Sequence, residues 1–240
     1  MIRAGSAFAI GALFLSASVV DAQPRRGREP LGANPSAVVK AEMAFARLAQ
    51  DKGQWTAFRE TADKDAVMFV PEAVNAQAWL RKQSDPPKAI AWKPYRVFVS
   101  CDGSYAASTG PWTQPNGATG TFTTIWRRQK NGSFKWVLDF GSDTKVPDQD
   151  DPIIEGKVAD CSGVGGPRGP DSLGERRERS NPEMVRIAIP PPVSGQGQSD
   201  DGSLRWNWTG DRGERTFEVV MRYEGDLKTV LRETAAAPAP

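Results

Sequence analysis

The amino-acid sequence predicts an α+β fold, with helices in the N-terminal part followed by an antiparallel sheet. Three dipeptides, Asp102-Gly103, Asn116-Gly117 and Asn131-Gly132, divide residues 95–143 into four alternating runs rich in aromatic and β-branched side chains. Such dipeptides tolerate the positive φ angles of hairpin turns, so the four runs are typical of a four-stranded meander. Apolar residues at helical spacing precede this stretch, and three further alternating runs follow residue 203.

Composition narrows the functional classes before any motif is considered. The 240-residue chain is 39% hydrophobic and 25% charged, with a formal net charge of +2. Because no strong positive field results, nucleic acid is not expected as a partner. The sequence has no histidine, the commonest general base near neutral pH and the commonest metal ligand. We expect neither a metal site nor a cofactor.

Residues 1–22 are predicted to be a secretory signal rather than part of the fold. Arg3 supplies a positive start, residues 7–20 form an apolar run, and Val20-Asp21-Ala22 fits a small-residue cleavage site. The apolar run is short for a membrane span, and a retained membrane anchor is the alternative. After cleavage no membrane span would remain, and the chain is expected to be periplasmic or secreted. The polar residues 23–34 would form a flexible lead-in.

Export would determine the oxidation state of the only two cysteines, Cys101 and Cys161. In an oxidising compartment the two can pair, and two free buried thiols are the alternative. A bridge closing a loop of about 60 residues would stabilise the fold by about 4 kcal/mol in the chain-entropy model.

The first domain is predicted to span residues 35–143 and to open with about three helices. Asn34-Pro35 provides an N-cap and a proline at the first helical position, and Lys52-Gly53 provides the C-terminal signal. Between them an apolar stripe follows helical spacing, formed by Val38, Ala41, Phe45, Leu48 and Ala49.

Two shorter helices and two short strands are predicted next. Residues 54–62 form the second helix, with Trp55 and Phe58 one turn apart, and residues 63–71 lead into a short strand. Residues 75–82 form the third helix, with Trp79 facing inward, and residues 89–92 form a strand that enters the meander.

Three phrases of this region, ADKDAVMFVPEA, YAASTGPW and TIWRRQKNGSFKWVLDFGSD, resemble SnoaL-like domains of the nuclear-transport-factor-2-like superfamily. The resemblance is strongest to bacterial members of unknown function and covers residues 37–143. It implies a cystatin-like roll, in which a curved antiparallel sheet wraps around the helices as a cone with an internal pocket. Members include isomerases, dehydratases and cyclases, and the enzymes among them typically use a pocket aspartate, often with histidine or tyrosine. An Asp–His dyad is excluded here because the chain has no histidine.

Turn chemistry predicts which side chains of the meander share a face. If each dipeptide forms a two-residue turn, the registers lay two rows across the four strands. The polar row is Arg96, Thr109, Thr124 and Asp139, and the apolar row beside it is Phe98, Ala107, Trp126 and Val137.

Two interpretations of the polar row are open. In one it is the solvated outer face of the sheet. In the other it crosses the cone interior and orients a small ligand against Trp126, Phe98 and Trp79. A buried Asp139 would then have a raised pKa and could act as general acid or base. A register shift of one residue near Pro115 would break the row.

The character of the chain changes after residue 143. Residues 144–202 are rich in Pro, Gly and charge and are predicted to be a linker, with one isolated strand at 184–189. Residues 203–234 are predicted to form three strands that pack on the first domain or extend its sheet, and residues 235–240 a disordered tail.

Two functional classes follow. The first is an exported, non-catalytic module that binds a small apolar molecule or a protein partner through the cone and that could form a homodimer. The second is a small-molecule isomerase, dehydratase or cyclase with Asp139 as acid or base. The missing histidine and the long C-terminal region favour the first class.

Overall fold

The computed structural model describes residues 32–144, 153–162, 194–210 and 214–236. Helices and two antiparallel-dominated sheets make up this part of the chain, so the predicted α+β class is confirmed. The predicted signal, most of the linker including residues 184–189, and the last four residues lie outside the described residues.

The first helix begins at the cap that the sequence predicts. Helix α1 (Pro35–Lys52) is capped by Asn34, whose side chain accepts a hydrogen bond from the Ala37 N–H at 3.2 Å. It ends at Gly53, which has a positive φ of 106° that favours glycine. Helix α2 (Gln54–Thr61) follows, and the short α3 (Ala76–Leu80) is capped by Asn75.

The larger sheet contains the predicted meander at its centre. Its strands are β1 (Ala62–Phe69), β2 (Ala73–Asn75), β3 (Ala91–Trp92), β4 (Arg96–Val99), β5 (Tyr105–Thr113), β6 (Thr119–Arg128), β7 (Phe134–Ser142) and β8 (Glu155–Val158). The order is β2-β1-β7-β6-β5-β4-β8, and β3 pairs with β5. Two pairs, β1 with β7 and β4 with β8, are parallel.

The register of the central hairpin differs from the prediction by one residue. Thr109 pairs with Thr123 rather than with Thr124, because the loop holds three residues instead of two. A two-residue type I′ turn needs positive φ at both central positions, and Asn116 does not have it. Pro115, whose ring fixes a negative φ, fits the first position of the longer loop. The chain therefore makes a turn over Pro115 and Asn116 and places Gly117, at φ 88°, in the left-handed region.

A β-bulge compensates for a second three-residue loop in the next hairpin. The loop spans Lys130 to Gly132, and the extra residue opposite it in β7 is Val137, so Trp126 pairs with Trp136. Beyond the bulge the predicted register holds, and Thr124 faces Asp139. The hairpin around Asp102-Gly103 also has the predicted register.

The two faces of the larger sheet pack against different partners. One face lies on the helices, and its core includes Phe45, Phe58, Val97, Ala106, Trp126 and Trp136. The opposite face lies against the C-terminal strands, and its core includes Phe98, Ile125, Leu138, Phe140, Trp208 and Phe217. The face that one interpretation placed in solvent is thus largely covered by protein.

The C-terminal region forms its own four-stranded sheet instead of the predicted three strands. Its strands, in the order β12-β11-β10-β9, are β9 (Ser194–Gln198), β10 (Leu204–Gly210), β11 (Glu214–Tyr223) and β12 (Asp226–Ala236). Strands β8 and β9 lie inside the predicted linker, and β12 extends into the predicted tail. Strand β9 has no apolar side chain to signal it, and Gly195 and Gly197 leave room for the rings of Trp208 and Trp206.

Two turns with matching sequence join the sheets. We call Ser100–Ser104 and Ser199–Ser203 the paired turns; in each, a central aspartate accepts hydrogen bonds from both flanking serines. The Asp102 N–H donates to Asp201 Oδ2 at 3.0 Å, and the Asp201 N–H donates to Asp102 Oδ2 at 3.1 Å. Each turn thus completes the hydrogen bonding of the other.

A disulfide bond closes the same corner of the molecule. Cys101, inside the first of the paired turns, is bonded to Cys161, with the Cα atoms 5.2 Å apart, which confirms the pairing interpretation. Among the described residues, no helix has the length and hydropathy needed to cross a membrane.

Candidate functional site

A cavity of about 200 Å³ lies between the helices and the larger sheet. Its walls are mostly aromatic and apolar: Phe45, Phe58, Ile90, Trp92, Trp112 and Phe122. Gln114, Asp139, Gly141 and Asp143 complete the lining. Gly141 and Asp143 are exposed, so the cavity opens to solvent at the end of β7. Its size is below the roughly 300–1,000 Å³ of sites for drug-sized ligands.

Asp139 is the acidic group at the inner part of this lining. It projects from β7 beside Thr124 of β6, whose Oγ1 donates a hydrogen bond to Asp139 Oδ2 at 3.1 Å. The pKa of Asp139 is raised to about 7, mainly by burial and next by the charge of Glu42. The charge of Glu233 adds a weaker effect in the same direction, and the hydrogen bond from Thr124 opposes the shift. The carboxyl group can therefore take up or release a proton near neutral pH.

A second carboxyl group, Glu42, lies fully buried behind the cavity on α1. Trp92 Nε1 donates to Glu42 Oε1 at 2.7 Å, and Ser108 Oγ and Trp126 Nε1 donate to Oε2 at 2.5 and 2.9 Å. Burial raises the pKa of Glu42, although its hydrogen-bond donors act in the opposite direction. Thr124 also interacts with Glu42, so this threonine connects the two acids.

Sequence reasoning missed Glu42, yet the sequence holds a signal for it. Val38, Phe45 and Ala49 face the core at the spacing of one helical stripe, and residue 42 occupies the same stripe. A carboxylate among core positions must find hydrogen-bond donors or ionise with difficulty. Its donors, Ser108 and Trp126, come from strands distant in sequence, so their identity could not be read from the helix.

The residues of the predicted site separate into two groups. Thr124, Trp126 and Asp139 lie on the helix-facing side, and only Asp139 of these lines the cavity. Arg96, Thr109 and Phe98 do not share that face, because the three-residue loop after β5 reverses the orientation of the strands before it. The predicted four-residue polar row is therefore wrong.

The remaining predicted contacts also lie away from the cavity. Trp79 packs edge-to-face on Trp55, with ring centroids 5.1 Å apart, and is absent from the lining. Arg96 lies over the ring of Tyr95 at 4.8 Å. Phe98 belongs to the core between the two sheets.

Thr109 instead binds a third buried acid between the sheets. Thr123 Oγ1 donates to Glu233 Oε1 at 2.5 Å, and Thr109 Oγ1 donates to the same atom at 3.3 Å. Burial raises the pKa of Glu233 to about 7, against the effect of the two threonines. Within the described part of the chain, Glu233 Oε2 is buried without a hydrogen-bond partner.

The described residues contain no group of three or more His, Cys, Asp and Glu side chains arranged to hold a metal ion. The donor set of the cavity is instead one of carboxyl, amide and aromatic groups.

Comparison with known proteins gives a likeness of fold. No family model matches the chain, and no curated protein matches it. Among solved structures, a candidate ketosteroid isomerase from Parabacteroides distasonis is similar at 16% identity, with 50% of this chain and 100% of the other covered and a TM-score of 0.37.

Two further structures are similar over about the same share of the chain. An NTF2-like protein of unknown function from Pseudomonas putida is 11% identical, with 48% and 89% of the chains covered and a TM-score of 0.33. A protein of unknown function with a cystatin-like fold from Methylobium petroleophilum is 8% identical, with 52% and 86% covered and a TM-score of 0.36. At these identities and TM-scores the likeness carries nothing about function.

Proposed function

We propose that this chain is a small-molecule-binding module of the NTF2-like kind, whose ligand occupies the aromatic cavity and contacts Asp139. The observation that carries the proposal is a carboxyl group at the inner wall of an otherwise aromatic cavity that opens to solvent. Asp139 Oδ2 is held by Thr124, and Oδ1 has no hydrogen-bond donor among the described residues. One open acceptor on an apolar wall is the arrangement by which small-molecule sites fix a ligand's orientation.

The cavity can be blocked without disturbing the fold. Gly141 lies in β7 on the face that carries Asp139, and a Cβ atom added there meets nothing within 4 Å. Gly141→Leu should therefore fill the cavity mouth while leaving the strand intact. Thr119→Leu, at an exposed position of β6, is the matched control because it adds an apolar side chain outside the lining.

Native mass spectrometry of the purified full chain tests the proposal. We expect a retained small molecule on the unmodified chain and on Thr119→Leu, and at least a tenfold lower occupancy on Gly141→Leu. Equal occupancy on Gly141→Leu would place the ligand elsewhere. The mass of the assembly in the same spectra tests whether a homodimer forms, and a protein that co-purifies would point to the alternative of a protein partner.

Acid–base catalysis is the second candidate function, favoured by one observation. The pKa of Asp139 is raised to about 7, where a carboxyl group can both accept and donate a proton. If the chain is an isomerase-type enzyme, the retained molecule should exchange carbon-bound hydrogen for deuterium in D₂O. Asp139→Asn should stop this exchange, whereas an equal rate in the variant would remove Asp139 as the catalyst.

Export is also part of the proposal. The Cys101–Cys161 disulfide supports it, because structural disulfides persist in oxidising compartments. Fractionation of cells that express the full chain, with mass determination of the product, tests both export and cleavage after Ala22.

A further inference from the structure

The charged side chains of the described cavity lining are all acidic, and Arg215 of β11 interacts from outside the lining with one of them, Asp143. Asp139 and Asp143 line the cavity, Glu42 is buried behind Asp139, and the described lining contains no lysine or arginine. Neighbouring acids in an apolar interior oppose each other's ionisation, and the charge of Glu42 acts on Asp139 in this way. A positively charged ligand would relieve that repulsion, whereas an anion would increase it.

The walls offer aromatic rings. Phe45 packs edge-to-face on Phe58 and on Trp92, each at 4.8 Å between ring centroids, and Phe58 packs on Trp92 at 5.9 Å. Trp112 adds a further ring to the lining. The faces of aromatic rings attract cations, and aromatic cages are a known means of binding quaternary ammonium groups.

The indole N–H groups of the walls are already used by the protein. Trp92 Nε1 donates to Glu42 at 2.7 Å, and Trp112 Nε1 donates to the Thr121 carbonyl oxygen at 3.1 Å. Gln114 is the remaining uncharged side-chain donor of the described lining. A carboxylate or phosphate ligand needs several donors, but a substituted ammonium group needs none of them.

We propose that the ligand of this cavity is a small organic cation. Its quaternary ammonium group lies against the aromatic walls, and Asp139 is its counter-ion. The inference rests on the proposed function, since it names the ligand class of the same site. The cation contributes charge, the rings contribute cation–π attraction, and the small volume limits the group to a few substituents on nitrogen.

Binding should be linked to proton release. The cation favours the ionised form of Asp139, whose pKa in the free protein is raised to about 7. Affinity should therefore rise with pH up to about pH 7 and become level above it. The other acids that bear on the site are Glu42 from α1, Asp143 after β7 and, across the sheet, Glu233 from β12.

The test compares two probes of the same shape and different charge. Choline carries a trimethylammonium group, and 3,3-dimethyl-1-butanol replaces its nitrogen with carbon and is neutral. We expect choline to bind the full chain at least tenfold more tightly at pH 8, as measured by tryptophan-fluorescence titration. Asp139→Asn should abolish this preference, Gly141→Leu should weaken both probes, and Thr119→Leu should change neither.

The outcomes separate this inference from the proposed function. Equal or tighter binding of the neutral probe would overturn the inference while leaving a small-molecule site in place. A tenfold preference that persists in Asp139→Asn would remove Asp139 as the counter-ion. If choline fails to bind, the inference is overturned, and the retained-ligand measurement on Gly141→Leu still decides the proposed function independently.

Discussion

The charge of Glu42 raises the pKa of Asp139, although the two residues come from a helix and a strand 97 residues apart in the chain. Both belong to an interior with few other charges, and Thr124 interacts with both. The buried Glu42 has three strong donors, whereas Asp139 has one. The fold thus divides the two acids into a structural carboxyl group and one that faces the cavity.

We expect Glu42→Gln to lower the pKa of Asp139 below about 7, because the charge of Glu42 is the second cause of its elevation after burial. Carbon-13 NMR titration of the Asp139 carboxyl group measures the change. Asp51→Asn, at an exposed position of the same helix, is the control and should leave that pKa unaltered. An unchanged Asp139 pKa in Glu42→Gln would mean that burial alone sets it.

At the scale of elements, the paired turns hold the two sheets through reciprocal hydrogen bonds. The Cys101 N–H also donates to Ser203 Oγ at 2.9 Å, and the Asp200 N–H donates to Ser104 Oγ at 3.1 Å. Each aspartate first orders its own turn and then accepts the backbone N–H of the other. The two turns should therefore behave as one energetic unit.

Asp102→Ala and Asp201→Ala should each lower the free energy of unfolding by about 2–4 kcal/mol, since each leaves several donors without an acceptor. The double variant should lose less than the sum, with a coupling energy of about 1–3 kcal/mol. Urea unfolding measures all three. Asp51→Ala is the exposed control, and additive losses would show that the turns act separately.

Some of these elements could be predicted from the sequence and others could not. The meander, the cap at Asn34 and the register of the hairpin around Asp102-Gly103 depend on local chemistry, and the sequence predicts them. The central register failed because the loop holds three residues instead of two, and a change of one residue moves every side chain of a strand to the other face. The bulge at Val137 depends on core packing and has no local signature.

The candidate site was predicted only in part, because some of its residues are positioned by local pairing and others by long-range packing. Asp139 was found from its strand, since the register between β6 and β7 holds at that position. Glu42 and the aromatic walls come together only when α1, the short β3 and the meander pack, and that packing depends on long-range contacts.

At the scale of the whole described chain, the two sheets pack face to face and enclose a carboxyl group. Glu233 of the C-terminal sheet lies against Thr109 and Thr123 of the larger sheet. Because burial raises its pKa to about 7, the group is protonated in the folded chain at pH values where the unfolded chain has already ionised it. The stability that Glu233 contributes is complete below pH 4.5, the pKa of this side chain in the unfolded state. It is lost as the pH rises through about 7, the pKa in the folded state.

The urea midpoint of the full chain should therefore fall between pH 5 and pH 8. Each fully shifted carboxyl group changes stability by at most about 1.4 kcal/mol per pH unit in this window. Glu233→Gln should flatten part of the decline, and Glu214→Gln, at an exposed position of β11, should not. An identical pH profile in Glu233→Gln would show that the other acids alone cause it.

The paired turns also restrict how this chain can vary over generations. A substitution of either aspartate removes hydrogen bonds from both sheets at once, so a second change at the opposite turn cannot simply restore them. We therefore expect the two Ser-x-Asp-Gly-Ser segments, about 100 residues apart, to be kept or lost together among related chains.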